Sequence, residues 1–312
     1  MPEQPSCVDG RLHHYAPRLV AFEHSKPSTS ESPNTLIWVG GLGDGLLTVS
    51  YPTALAQSLP CEWSLSQVLL SSSYDGWGTS SLPQDCTELA ECISYFQSIR
   101  PGKKIVLMGH STGCQDALFY LTGRGFATRP SIQGVVLQAS VSDREGMQGL
   151  VPKDVLDSGI NIAQDMSAAG KEDEVLPSSA TPDFTTSPVT AKRWLSLLSP
   201  SKDGDDDLFS SDLTNEQLKK SFGSLKRGSP LLILFSGSDQ FAPDWVDKKA
   251  MVKRWTGFVR DGGGSIDEEN GGIVDGASHN LQGDPDGVVQ DLLRRVNGFI
   301  GRLDTGDFTK GL

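Results

Sequence analysis

Ser111 stands in the run Gly109-His110-Ser111-Thr112-Gly113, a Gly-x-Ser-x-Gly pattern. Three fixed positions recur by chance in many chains, so the pattern carries weight only where a strand enters it and a helix leaves it. Ile105 to Met108 is a short apolar run, and Cys114 to Leu121 has apolar residues at helical spacing, so the serine falls at a strand-to-helix turn. A turn this tight leaves no room for side chains beside the hydroxyl, which accounts for the glycines. The chemistry implied is acyl transfer by a serine nucleophile.

A serine hydroxyl is a weak nucleophile until a base takes its proton, and the base needs an acid to orient it. The chain has five histidines. His13 and His14 precede the first clear strand, His24 follows them, and His110 lies inside the turn, where its side chain is expected to point away from Ser111. His279 sits in the loop Asp275-Gly276-Ala277-Ser278-His279-Asn280, after Ile273-Val274 and before the last helical segment, and is the expected base. Asp239 lies just past the apolar run Leu231 to Phe235, at the strand end where open α/β sheets place functional groups. It is the expected acid, with Asp244 and Asp143 as competitors.

The tetrahedral intermediate of acyl transfer carries an oxyanion that needs two N–H donors. These are expected from Thr112, after the nucleophile, and from Leu42, in the loop after an earlier strand. That loop, Gly40 to Gly45, has neither a Gly-Lys-Ser/Thr ending nor G-x-G-x-x-G spacing, which argues against phosphate binding. Asp44 is expected to contact substrate or to cap the next helix. Tyr74 and Trp77, in the run following Val68-Leu69-Leu70, are further candidate substrate contacts.

Positioning these groups requires a sheet. Leu36 to Val39, Val68 to Leu70, Lys104 to Met108, Ile132 to Gln138 and Leu231 to Phe235 are short apolar runs, and the stretches Asp85 to Arg100 and Val288 to Leu303 read as amphipathic helices. Strands buried on both faces and alternating with helices predict an α/β protein with a mostly parallel central sheet flanked by helices. About ninety residues separate the last two strands, too many for an ordinary crossover. Residues 145–228, rich in Ser, Pro and Asp, therefore read as a cap inserted into a core made of residues 1–144 and 229–312. The alternative is an acidic loop without a role in substrate choice. Helical patterns are expected around Ala191 to Leu198 and Asn215 to Phe222.

Composition limits the partners. The formal charge is −12, from 27 Lys and Arg against 39 Asp and Glu, which would repel a nucleic-acid backbone. The N-terminal stretch lacks a basic start followed by an apolar run, and no segment approaches the length of an apolar membrane span. Five cysteines form an odd set without C-x-x-C spacing, which argues against a disulfide framework and a zinc site. A cytoplasmic location is expected. Asp203-Gly204-Asp205-Asp206-Asp207 lacks the downstream glutamate of a calcium loop and reads as solvated charge, and acyl transfer by a serine requires no metal and no organic cofactor, so none is expected.

Val39 to Gly45, Ser73 to Ser80, Gly109 to Gly113 and Gly237-Ser238-Asp239 together resemble the α/β-hydrolase superfamily, over most of the chain outside 145–228. The loop Val39-Gly40-Gly41-Leu42-Gly43-Asp44-Gly45 and the segment Gly109 to Asp116 are most similar to the fungal siderophore esterases that act on fusarinine C. That resemblance implies an α/β-hydrolase fold and hydrolysis of esters in a hydroxamate siderophore, an iron-loaded small molecule, inside the cell. A general carboxylesterase, lactonase or thioesterase is the alternative within the same chemistry. A non-catalytic binding protein of the same fold is the alternative outside it.

Overall fold

The structure, a computed structural model, describes residues 7–308. Its centre is an eight-stranded sheet made of β1 (Gly10–Ala16), β2 (Leu19–His24), β3 (Asn34–Val39), β4 (Trp63–Val68), β5 (Ile105–His110), β6 (Gly134–Gln138), β7 (Leu231–Ser236) and β8 (Gly272–Val274). The strand order is β1-β2-β4-β3-β5-β6-β7-β8. The pairs β1/β2 and β2/β4 are antiparallel, and every other pair is parallel.

Strand alternation sorts the core into two layers. Ile37, Leu107, Val135 and Ile233 face one way, packing on helices α2 (Leu82–Ile99), α3 (Gly113–Thr122) and α8 (Lys248–Asp261). Leu36, Val106, Val136 and Leu232 face the other, packing on α1 (Tyr51–Ser58) and α9 (Asp286–Asp304). In α9 the buried residues Leu292, Leu293, Val296, Phe299 and Ile300 form one helical stripe, and burying each contributes roughly 1.5–3 kcal/mol.

Two sheet elements depart from the sequence reading. The strand expected at Val68 to Leu70 runs instead from Trp63 to Val68, where Ser64 and Gln67 are buried with partners. Ser64 Oγ accepts from Arg100, and Gln67 bonds to His24 and accepts from the Leu47 N–H. His13 and His14 do not precede the first strand but lie within it, in an N-terminal hairpin whose β1 is mostly exposed and carries no apolar alternation to betray it.

Between β6 and β7 run α4 (Asp143–Leu150), α5 (Lys153–Ala168), α6 (Ala191–Leu198) and α7 (Asn215–Lys220). Leu156, Ile160 and Ala163 of α5 pack with Trp194, Leu197 and Leu198 of α6 in an apolar cluster of their own. The Thr190 hydroxyl caps α6 by accepting from the Arg193 N–H. Further along, Phe209, Leu213, Leu218 and Phe222 join the sheet core.

Candidate active site

β3, β5, β6 and β7 lie side by side; Leu42 and Asp44 follow β3, Ser111 and Thr112 follow β5, Asp239 follows β7, His279 follows β8, and Tyr74 and Trp77 follow β4. Ser111 joins β5 to α3 with φ at 54°, a left-handed conformation that a side chain rarely adopts. Its N–H donates to the Gln138 carbonyl at 3.1 Å. Close backbone approach explains two of the surrounding glycines. A Cβ on Gly113 would lie 2.3 Å from the Val39 carbonyl oxygen, and one on Gly41 would lie 2.6 Å from Ser111 Cβ.

His279 and Asp239 meet across the end of β7: His279 Nδ1 is 2.8 Å from Asp239 Oδ2, and both residues are buried. A carboxylate only accepts, so Nδ1 carries the proton and Nε2 keeps its lone pair free for a nucleophile. The loop is fixed on both sides. Asp239 Oδ1 accepts from the Phe241 N–H at 2.9 Å, and Gln240 Oε1 accepts from the His279 N–H at 3.0 Å. The Phe241 ring stands edge-on to the imidazole, with centroids 4.7 Å apart. Of the competing acids, Asp143 accepts from Gln115 instead, and Asp244 makes no bond to His279 among the described residues. Ser111 Oγ makes no hydrogen bond to His279, a contact that in such sites tightens around bound substrate.

The N–H groups of Leu42 and Thr112 have no intramolecular acceptor among the described residues, which leaves both free to meet an oxyanion. Asp44 does not cap the next helix, whose N-cap is Ser50. Its Oδ2 accepts from the Gly41 N–H at 2.8 Å and its Oδ1 from Thr48 Oγ1 at 2.9 Å, so the carboxylate ties its own loop rather than capping α1. Tyr74 buttresses the same loop. Its ring lies where a Cβ on Gly45 would stand, and its hydroxyl accepts from the Leu46 N–H. Trp77 faces the α5–α6 cluster and, with Leu42, lines a cavity beside the loop.

His110 was expected only to point away from Ser111; its ring lies against that of His279, with centroids 5.0 Å apart, and stacks on Trp38. Burial, reinforced by the adjacent His279, holds its pKa down at about 4. Gln138, the last residue of β6, was invisible to motif reasoning and connects the parts. Its Nε2 donates to the His279 carbonyl and to Ser236 Oγ, both at 3.2 Å, which directs Oε1 to His110 Nδ1 at 2.5 Å. His110 is therefore also protonated on Nδ1. The signal available was a lone amide closing an apolar strand next to the nucleophile strand.

Behind the cavity lies a buried charge cluster. Arg193 of α6 bonds Asp206 at 2.6 Å and the Trp77 carbonyl at 2.9 Å, and it is also close enough to act on Asp85, Asp116 and Asp143. One guanidinium thus serves four carboxyl groups. Burial pushes Asp116 well up and Asp85 to about 6. Among the described residues no group of three or more His, Cys, Asp or Glu is arranged to hold a metal ion, and no helix is long and apolar enough to cross a membrane.

Residues 1–301 match the family described as "Protein of unknown function (DUF1749)". The chain is similar to fusarinine C esterase sidJ of Aspergillus fumigatus, at 38% identity over 95% of this chain and 96% of that protein. It is also similar to esterase AN6793 of Emericella nidulans, at 37% identity over 97% and 94% of the two chains. Among solved structures, siderophore hydrolase EstB from Aspergillus fumigatus superposes with a TM-score of 0.81 at 36% identity, covering 97% of this chain and 99% of that one. A monoglyceride lipase from Saccharomyces cerevisiae, 11% identical with a TM-score of 0.62, shares the fold.

Proposed function

On the premise that this chain belongs to the DUF1749 family and has the α/β-hydrolase fold, we propose that it is a serine esterase that hydrolyses ester bonds of a hydroxamate siderophore of the fusarinine C type. The observation that carries the mechanism is the His279–Asp239 hydrogen bond, which puts the proton on Nδ1 and leaves Nε2 to act as the base. His279 takes the Ser111 proton as Oγ attacks the ester carbonyl, and the carbonyl oxygen becomes an oxyanion held by the Leu42 and Thr112 N–H groups. The tetrahedral intermediate collapses to an acyl-enzyme as His279 returns the proton to the leaving alcohol. Water, deprotonated by the same imidazole, then attacks the acyl carbon and releases the acid and free serine. Asp239 keeps the imidazole in the required tautomer and stabilises it when doubly protonated.

In this reading residues 145–228 cap the strand ends and select the substrate. The substrate's iron is cargo, released when the ligand is cut. The names of the two Aspergillus proteins support the siderophore as substrate. The five cysteines are free, which supports a reducing compartment such as the cytoplasm.

The test is hydrolysis of fusarinine-type siderophores, aryl esters, lactones and thioesters by the wild type and by Ser111→Ala, with products identified by mass spectrometry. Labelling by a fluorophosphonate probe reports the nucleophile separately. Hydrolysis of the siderophore that is lost in Ser111→Ala is expected. Turnover of simple esters with the siderophore untouched would leave the mechanism and remove the substrate. Folded protein that takes no label at Ser111 would remove the mechanism.

A further inference from the structure

Gln138 closes β6, and its main chain and side chain bond to different parts of the site. Its carbonyl oxygen accepts from the Ser111 N–H at 3.1 Å and from Cys114 Sγ at 3.2 Å, which ties it to the nucleophile turn and the start of α3. Its side-chain Nε2 donates to the His279 carbonyl at 3.2 Å. The residues carrying the nucleophile and the base, far apart in the chain, therefore bond to the same glutamine.

The amide is itself fixed from several elements. Oε1 accepts from the Tyr51 hydroxyl of α1 at 3.2 Å and from His110 Nδ1 of β5 at 2.5 Å, and Nε2 also donates to Ser236 Oγ of β7 at 3.2 Å. Tyr51 Oη in turn accepts from Trp38 Nε1 of β3 at 2.9 Å. One end of the side chain must thus donate twice and the other must accept twice, which an amide does. A glutamate would turn an acceptor on the His279 carbonyl, and a methionine would leave four buried groups unpaired. Packing asks for none of this, since the preceding strand residues Val135, Val136 and Leu137 are apolar and buried.

The main chain of His279 is held on both sides. Gln240 accepts from its N–H at 3.0 Å and Gln138 donates to its carbonyl, and of these two Gln138 is the one that also holds Ser111. Asp239 sets the tautomer of the imidazole through Nδ1, a separate task.

We infer that Gln138 is a positioning residue for the hydrolysis, setting the spacing of Ser111 and His279 by holding the main chain of each. The inference rests on the serine esterase reading above and adds to it the residue that keeps the attacking and proton-accepting groups in register.

The test compares the wild type with Gln138→Met, which has neither end of the amide, and Gln138→Asn, which keeps the amide but withdraws it by one methylene. Active sites are titrated to completion with a fluorophosphonate, and kcat and KM for an aryl ester are expressed per titrated site. A displacement of about 1 Å between reacting groups costs about 100-fold, so kcat per site should fall by about that factor in Gln138→Met and by about tenfold or more in Gln138→Asn. KM should stay nearly constant, and the rate of labelling should fall in parallel with kcat. A purely structural role would lower the melting temperature and the number of titratable sites while leaving kcat per site unchanged, and that result overturns the inference. If Gln138→Met does not fold, Gln138→Asn decides by the same measure; failure of both to fold would assign the amide to the fold and also overturns it. A folded wild type that takes no label at Ser111 and cleaves no ester removes the esterase reading itself.

Discussion

His110 lies against His279 with ring centroids 5.0 Å apart and planes tilted by 53°. Two imidazoles this close cannot both carry charge cheaply, and both rings are buried. His110 is held neutral down to about pH 4, and burial alone does the same to His24.

That arrangement predicts acid sensitivity with a defined window. In the unfolded chain both histidines take a proton near pH 6.5, whereas in the folded protein they resist until about 4. The unfolded state therefore binds more protons between these values, and stability is fully present above pH 6.5 and declines as pH falls toward 4. Melting temperature measured across this range should drop, and His24→Gln should flatten the slope. An unchanged slope in that variant would show that His24 is not held neutral.

Asp239→Asn replaces the acceptor of the His279 Nδ1 proton with an amide that can present a donor, which favours the wrong tautomer. The geometry should survive, while kcat falls by about 10⁴-fold. Steady-state rates on an aryl ester decide this, and a loss of less than tenfold would mean another group orients the imidazole.

Gly41→Ala would drive a methyl group to 2.6 Å from Ser111 Cβ and 3.1 Å from its Oγ. The loop or the nucleophile must move, and a displacement of that size costs about 100-fold in rate. Fluorophosphonate labelling should slow in parallel, because the probe needs the same hydroxyl.

Arg193→Met leaves Asp206 buried without its partner at 2.6 Å. Removing one member of a buried pair destabilises by about 3–5 kcal/mol. Chemical denaturation should show the loss, and the double variant Arg193→Met with Asp206→Leu should recover part of it.

The positions of Ser111, Asp239 and His279 were legible because each follows an apolar strand and sits in a short polar or Gly-bearing loop, a contrast that one sequence displays. The sheet centre was legible for the same reason, since β3, β5, β6 and β7 are apolar on both faces. β4 was misplaced because Ser64, Ser66 and Gln67 look solvated in sequence and are buried in fact. The N-terminal hairpin was missed because its outer strand is mostly exposed. Gln138 and Arg193 act through partners distant in the chain, Gln138 on His279 and Arg193 on Trp77, and no local pattern encodes such a meeting. Asp44 does not cap α1 as one reading had it, because it binds the Gly41 N–H only three residues away, a turn chemistry open to any short acidic side chain.

Ser111 holds its left-handed φ of 54° without the freedom of glycine. A residue that prefers this conformation should fit the turn better than the one that works there. Ser111→Gly, devoid of a nucleophile, is expected to melt higher than the wild type, by an amount reflecting about 1 kcal/mol of relieved strain. Selection for thermal robustness alone would then erode the hydroxyl to which the proposed reaction assigns the attack, and long persistence of serine at this turn would record that the reaction, not the fold, has been what mattered.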